Sequence, residues 1–205
     1  MLARRFRLPA RALLLLPLLL SPPLASCAGT RTPVASRVAP ATAQPTGVTT
    51  VIVVRHAERA AVPGGDPPIS AAGEARALAL RDALHDAGVT AIVTTQYRRT
   101  GQTAAPLARE AGLTAEQVVV DHEGDIARHA REVAELVATR HAGQTVLVVG
   151  PSNTVPAIVG ALGVPGVAPI ADEEFDRLYV VQLPATGSAR LIRARFGAPT
   201  REVAP

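Results

Sequence analysis

Apolar residues in this chain fall into short unbroken runs, separated by longer stretches in which they recur every third or fourth position. The runs Val51-Ile52-Val53-Val54, Ala91-Ile92-Val93 and Thr145-Val146-Leu147-Val148-Val149 show no alternation with polar residues. Such runs predict strands covered on both faces, as in a parallel sheet. Between them the spacing is helical. Ser70 offers an N-cap to a helix running to about Asp86 and closed by Gly88, with Ala75, Leu78, Ala79 and Leu84 as its apolar stripe and Arg76, Arg81 and Asp82 facing water. Further helices are predicted over residues 100–110, over 126–141 through Ile126, Val133, Leu136 and Val137, and over 154–162. Val118-Val119-Val120 reads as a short strand, and residues 178–183 and 189–196 as a terminal pair around Gly187. Strands alternating with helices imply a three-layer α/β/α fold with a mostly parallel central sheet.

The first 26 residues do not belong to that pattern. Arg4, Arg5, Arg7 and Arg11 precede an apolar stretch over residues 13–20, the layout of a secretory signal peptide, too short to span a bilayer comfortably. The stretch ends in Leu24-Ala25-Ser26-Cys27, which resembles the lipobox of bacterial lipoproteins; the resemblance implies that Cys27 carries a lipid at the start of the mature protein. Cys27 is the only cysteine, so no intramolecular disulfide can form. Residues 27–47 are rich in Ala, Thr and Pro without apolar periodicity, as in an extended tether, which leaves 48–205 as one folding domain. The expected location is extracytoplasmic, on a membrane.

Charge changes meaning once the leader is set aside. The chain carries 21 basic against 17 acidic residues, but the four leader arginines have no acidic neighbours, so the remainder holds 17 of each sign. The basic excess reflects targeting, and with so few aromatics there is no stacking platform; nucleic acid is not an expected partner.

Candidate chemistry collects where the strands end. Arg55-His56-Ala57-Glu58 follows the first run, Arg98-Arg99 the second, and Gly150-Pro151-Ser152-Asn153-Thr154 the third long one. In open α/β sheets, ligands bind in the crevice beyond the carboxyl ends of the strands. Histidine with arginines and a polar turn suits an anionic, phosphoryl-type ligand, because guanidinium groups hold phosphate oxygens in a bidentate fork. For Arg55 and His56 alone, a solvated strand exit is the competing reading.

At these residues the chain resembles the histidine phosphatase superfamily, the group that includes the phosphoglycerate mutases. Val53-Val54-Arg55-His56-Ala57-Glu58 is similar to its nucleophile motif, Pro68-Ile69-Ser70-Ala71-Ala72-Gly73 to the next block, and Thr94 to Ala104 to the block that supplies a second phosphate-binding arginine. The resemblance implies a metal-independent phosphohydrolase without cofactor, acting on a small phosphate monoester. In it, His56 is the catalytic nucleophile forming a phosphohistidine, and Arg55, Arg99 and Asn153 bind the phosphoryl group. A carboxylic acid must protonate the leaving oxygen. Glu123 is the candidate, with Asp125 and the cluster Asp172, Glu173, Glu174 and Asp176 as alternatives. His122 and His129, near the segment that often borders such sites, read as surface or helix-start positions, and Glu58 as a structural partner of Arg59 or Arg55. The run Val148-Val149-Gly150-Pro151 departs from the family pattern, with proline where the resemblance implies a second histidine. Losing one preorganised donor typically costs about 10²–10³ in rate. The expected protein is therefore an impaired phosphatase or, alternatively, a noncatalytic phosphate-binding lipoprotein; a glycolytic mutase does not suit an exported location.

Overall fold

The computed structural model describes residues 47–120 and 125–200, all within one compact unit, Thr42–Pro205. The segments expected to be a signal peptide and, up to residue 46, a tether lie outside the described residues, as do Cys27, His122 and Glu123. Ten elements follow in order: β1 (Thr49–Arg55), α1 (Ala71–Leu84), β2 (Ala91–Thr94), α2 (Arg98–Ala111), β3 (Glu116–Gln117), α3 (Ile126–Arg140), β4 (Thr145–Gly150), α4 (Val155–Ala161), β5 (Arg177–Leu183) and β6 (Arg190–Arg195).

These strands form one six-stranded sheet in the order β3-β2-β4-β1-β5-β6. The first four run parallel, while β5 is antiparallel to both β1 and β6. Strands bury both faces because alternate residues feed two cores. Val51, Val53, Val146 and Val148 pack with Val133 and Val137 of α3 and Ile158 and Val159 of α4. Ile52, Val54, Leu147 and Val149 pack with Leu80 and Leu84 of α1 and Ala104 and Leu107 of α2. The fold is thus the expected three-layer α/β/α arrangement.

Three local expectations are corrected. The apolar stripe of α1 is not the one its alanines and leucines outline: Leu78 is 43 % exposed, whereas Arg76 is only 5 % exposed and faces inward with Ala77 and Leu80. Arg76 is drawn in by specific acceptors, Glu58 and the carbonyls of Phe196 and Ala198, which outweigh the default preference of arginine for water. The expected Val118-Val120 strand is displaced to Glu116–Gln117, and Val119 is 57 % exposed. Its only neighbour, β2, ends at Thr94, and the side-chain amide of Gln96 satisfies Val120 instead, donating to its carbonyl at 2.8 Å and accepting from its N–H at 2.9 Å. His129, expected at the surface or at a helix start, does stand in the first turns of α3, but buried.

Other boundaries follow local signals. Ser70 caps α1, its hydroxyl accepting from the Gly73 N–H at 3.2 Å. Gly88 and Gly187 take positive φ, as turns after a helix and between the terminal strands require.

Candidate active site

The carboxyl ends of β1, β2 and β4 lie side by side, because Arg55 is in register with Gly150 and Thr94 with Val149. Their three exits therefore open onto one crevice. His56 adds one more bond to the β1–β4 ladder, its N–H donating to the Gly150 carbonyl at 3.0 Å, which sets the imidazole beside the Gly150-Pro151 turn.

The ring of His56 is nearly buried, at 3 % exposure. Its Nδ1 lies 2.8 Å from the Ala57 carbonyl. A carbonyl only accepts, so Nδ1 carries the proton and Nε2 holds a lone pair. That Nε2 makes no hydrogen bond among the described residues. Burial, above all, and the neighbouring cations Arg99, Arg55 and Arg59 outweigh the Ala57 bond and hold the imidazole pKa down to about 4. The neutral form is therefore the one present near neutrality.

Arg55 is clamped by the segment ahead of β5. Its Nη1 donates to the carbonyls of Ala171, Asp172 and Glu174 at 2.8, 2.8 and 2.9 Å, and its guanidinium lies 4.0 Å from the centroid of the Phe175 ring. Burial pushes its pKa below the ordinary value, with Asp172 and Glu173 acting in the opposite sense. Its Nε is buried without a hydrogen-bond partner, and Nη2 is uncommitted among the described residues.

Arg99 reaches the crevice from the first turn of α2. Tyr97 gives that helix no side-chain cap; Asp66, from the loop after β1, caps it by accepting from the Arg98 N–H at 3.0 and 3.1 Å. The same carboxylate stands 3.4 Å from Arg99 Nη1, while the Tyr97 ring lies 4.1 Å from the guanidinium. Like that of Arg55, the Nε of Arg99 is buried and unpartnered. Thr103, which was not expected at the site, ties the two halves together. Its hydroxyl accepts from the Ala57 N–H at 2.9 Å and donates to the Arg99 carbonyl at 2.7 Å. Only its place on the same helical face as Arg99, four residues on, hinted at this.

Pro151 is buried, and its carbonyl accepts from the N–H groups of Thr154 and Val155 and from the Thr154 hydroxyl. Asn153 is exposed on the same turn and makes no hydrogen bond among the described residues. Glu58 pairs with Arg76 and not with Arg59 or Arg55, a correction with a geometric cause: the extended backbone aims it at α1. Within the acidic cluster, Glu174 is tied to Arg177 and the Ala171 N–H, and Asp176 to Arg195 and Thr200. Asp172 and Glu173 are exposed near Arg55.

Together these features define a three-layer α/β protein with a neutral histidine between two arginines at the crevice. A sequence model of the histidine phosphatase superfamily (branch 1) matches residues 51–124, the stretch that carries Arg55, His56 and Arg99. Solved structures agree in fold. The protein histidine phosphatase SixA in complex with tungstate is 19 % identical with a TM-score of 0.57, the alignment covering 71 % of this chain and 96 % of that one. A protein from Agrobacterium tumefaciens assigned as the phosphohistidine phosphatase SixA is 25 % identical with a TM-score of 0.53, covering 76 % and 99 %. The mycobacterial glucosyl-3-phosphoglycerate phosphatase in complex with inorganic phosphate is 19 % identical with a TM-score of 0.53, covering 73 % and 97 %. No protein among the curated ones matches.

Proposed function

We propose that this protein is a membrane-tethered phosphohydrolase for a small phosphate monoester, working through His56 at a rate reduced by Pro151. The observation that carries the reading is the bond from His56 Nδ1 to the Ala57 carbonyl, which leaves Nε2 unprotonated between two arginines. In the first step the Nε2 lone pair attacks phosphorus and the ester P–O bond breaks, the departing oxygen taking up a proton. In the second, water attacks phosphorus and the N–P bond breaks, releasing phosphate and restoring the ring. Arg55 and Arg99 hold the nonbridging oxygens as negative charge spreads over them. Asn153 is a candidate further contact to the phosphoryl group and Glu123 the candidate proton donor to the leaving oxygen. Cys27 is the lipid anchor that places the domain outside the cytoplasm.

A second reading, a noncatalytic phosphate-binding protein, is favoured by Pro151, since proline supplies neither a ring donor nor a backbone N–H beside His56. The two separate by experiment. The detergent-solubilised full chain is assayed on an aryl phosphate beside Pro151→His and His56→Ala. Hydrolysis by the parent that is lost in His56→Ala, with roughly 10²–10³-fold more in Pro151→His, supports the impaired enzyme. Activity confined to Pro151→His supports the binding protein. Phosphate binding by neither protein overturns the assignment of the site.

A further inference from the structure

We propose that Arg59 is a specificity residue, recognising a second anionic group on the leaving portion of the substrate. The inference rests on the reading of the His56 crevice as a phosphoryl site. Residues 58–60 are extended and pinned against residues 68–70: the Ser70 N–H donates to Glu58 at 2.8 Å, the Ala60 N–H donates to Pro68 at 2.9 Å, and Arg59 forms an antiparallel bridge with Ile69. Successive side chains of an extended segment leave on opposite sides. Glu58 goes to Arg76 on α1, so Arg59 leaves on the other side, toward the crevice. Its positive charge is felt by His56, Arg55 and Arg99 alike, groups carried on two different elements.

Each of the other two cations has carboxylates at hand, Asp172 and Glu173 for Arg55 and Asp66 for Arg99. Arg59 has no ion-pair partner among the described residues; the nearest acid in sequence, Glu58, is committed elsewhere. It is also exposed, whereas Arg55 and Arg99 are buried. Two buried arginines suffice to hold the oxygens of one phosphoryl group. An exposed third guanidinium at the rim, on a long flexible stem, meets whatever the phosphate is attached to, and a carboxylate or second phosphate there supplies the fork-matched partner it lacks.

The test compares two matched ligands, phenyl phosphate and 4-carboxyphenyl phosphate, by calorimetric titration of the detergent-solubilised full chain and its Arg59→Gln, Arg59→Lys and Arg99→Gln variants. The parent is expected to prefer the carboxylated ligand by roughly tenfold, the contribution of one charge-assisted hydrogen bond. Arg59→Gln removes the preference and Arg59→Lys keeps part of it. A ratio of affinities is read, so partial loss of folded protein does not move it. No preference in the parent, or a preference that survives in Arg59→Gln, overturns the inference while leaving the phosphoryl site standing. If the parent binds neither ligand, or Arg99→Gln binds both as well as the parent, the phosphoryl reading itself fails and the inference with it.

Discussion

Glu58 turns away from the histidine two residues before it and pairs with Arg76 of α1, Nη2 standing 2.7 Å from Oε1. The same guanidinium reaches the carbonyls of Phe196 and Ala198 at 3.2 and 3.0 Å. One buried cation thus joins the segment after β1, the first helix and the chain beyond β6. Arg76→Ala leaves the Glu58 carboxylate and two carbonyls without their donor, and removing one partner of a buried pair costs about 3 kcal/mol or more. Urea unfolding is expected to show that loss in the midpoint; an unchanged midpoint would mean that water replaces the guanidinium without penalty.

Gly73 is needed for the neighbouring backbone. A Cβ there would run into the Glu58 carbonyl oxygen and come within 2.9 Å of the Ile69 Cβ, so helix α1 can approach the 58–60 segment only through glycine. Gly73→Ala has to move that segment, at a cost of about 1–3 kcal/mol. Phosphate affinity is expected to fall as well, because the same segment carries the backbone onward from His56. Gly101→Ala, inside α2 with open space around its position, serves as the control: it leaves phosphate affinity in place and raises stability slightly, by up to about 1 kcal/mol.

The depressed pKa of His56 has a pH signature. The unfolded ring takes up a proton near its ordinary 6.5, the folded ring only near 4. Above pH 6.5 both states are neutral and the group contributes no slope. As the pH falls from 6.5 toward 4 the unfolded state binds the proton first, so stability declines by about 3 kcal/mol and then levels off. His56→Asn removes this component, so the difference between the two stability profiles isolates it. Parallel profiles between pH 6.5 and 4 would show that the ring is not held neutral.

Cys27 tests the proposed location without reference to the folded domain. In a bacterial host that processes lipoproteins, the parent is expected in the membrane fraction and Cys27→Ala in the soluble periplasm. Membrane association undiminished by the substitution would sink the lipid anchor.

Much of the fold was legible from the chain alone. Uninterrupted β-branched runs such as Val51-Ile52-Val53-Val54 have one good solution, a strand with helices on both faces, and the Ser70 cap marks the start of a helix through a local bond that sequence spacing specifies, whereas its end falls at Leu84, ahead of the expected stop at Gly88. The residues at the strand exits, Arg55, His56 and Arg99, were legible for the same reason, since a parallel sheet delivers its strand ends to one edge.

What tertiary structure alone decided was the partnership of side chains far apart in sequence. Glu58 chose Arg76, Asp66 capped α2 and met Arg99, Thr103 bridged His56's neighbour to the helix of Arg99, and the 171–174 carbonyls captured Arg55. No periodicity encodes those choices, because each depends on which direction a backbone bends before its side chain finds an acceptor. The tautomer and low pKa of His56 belong with them: sequence determined that an imidazole stands at the end of β1, and burial beside three arginines made it a neutral one.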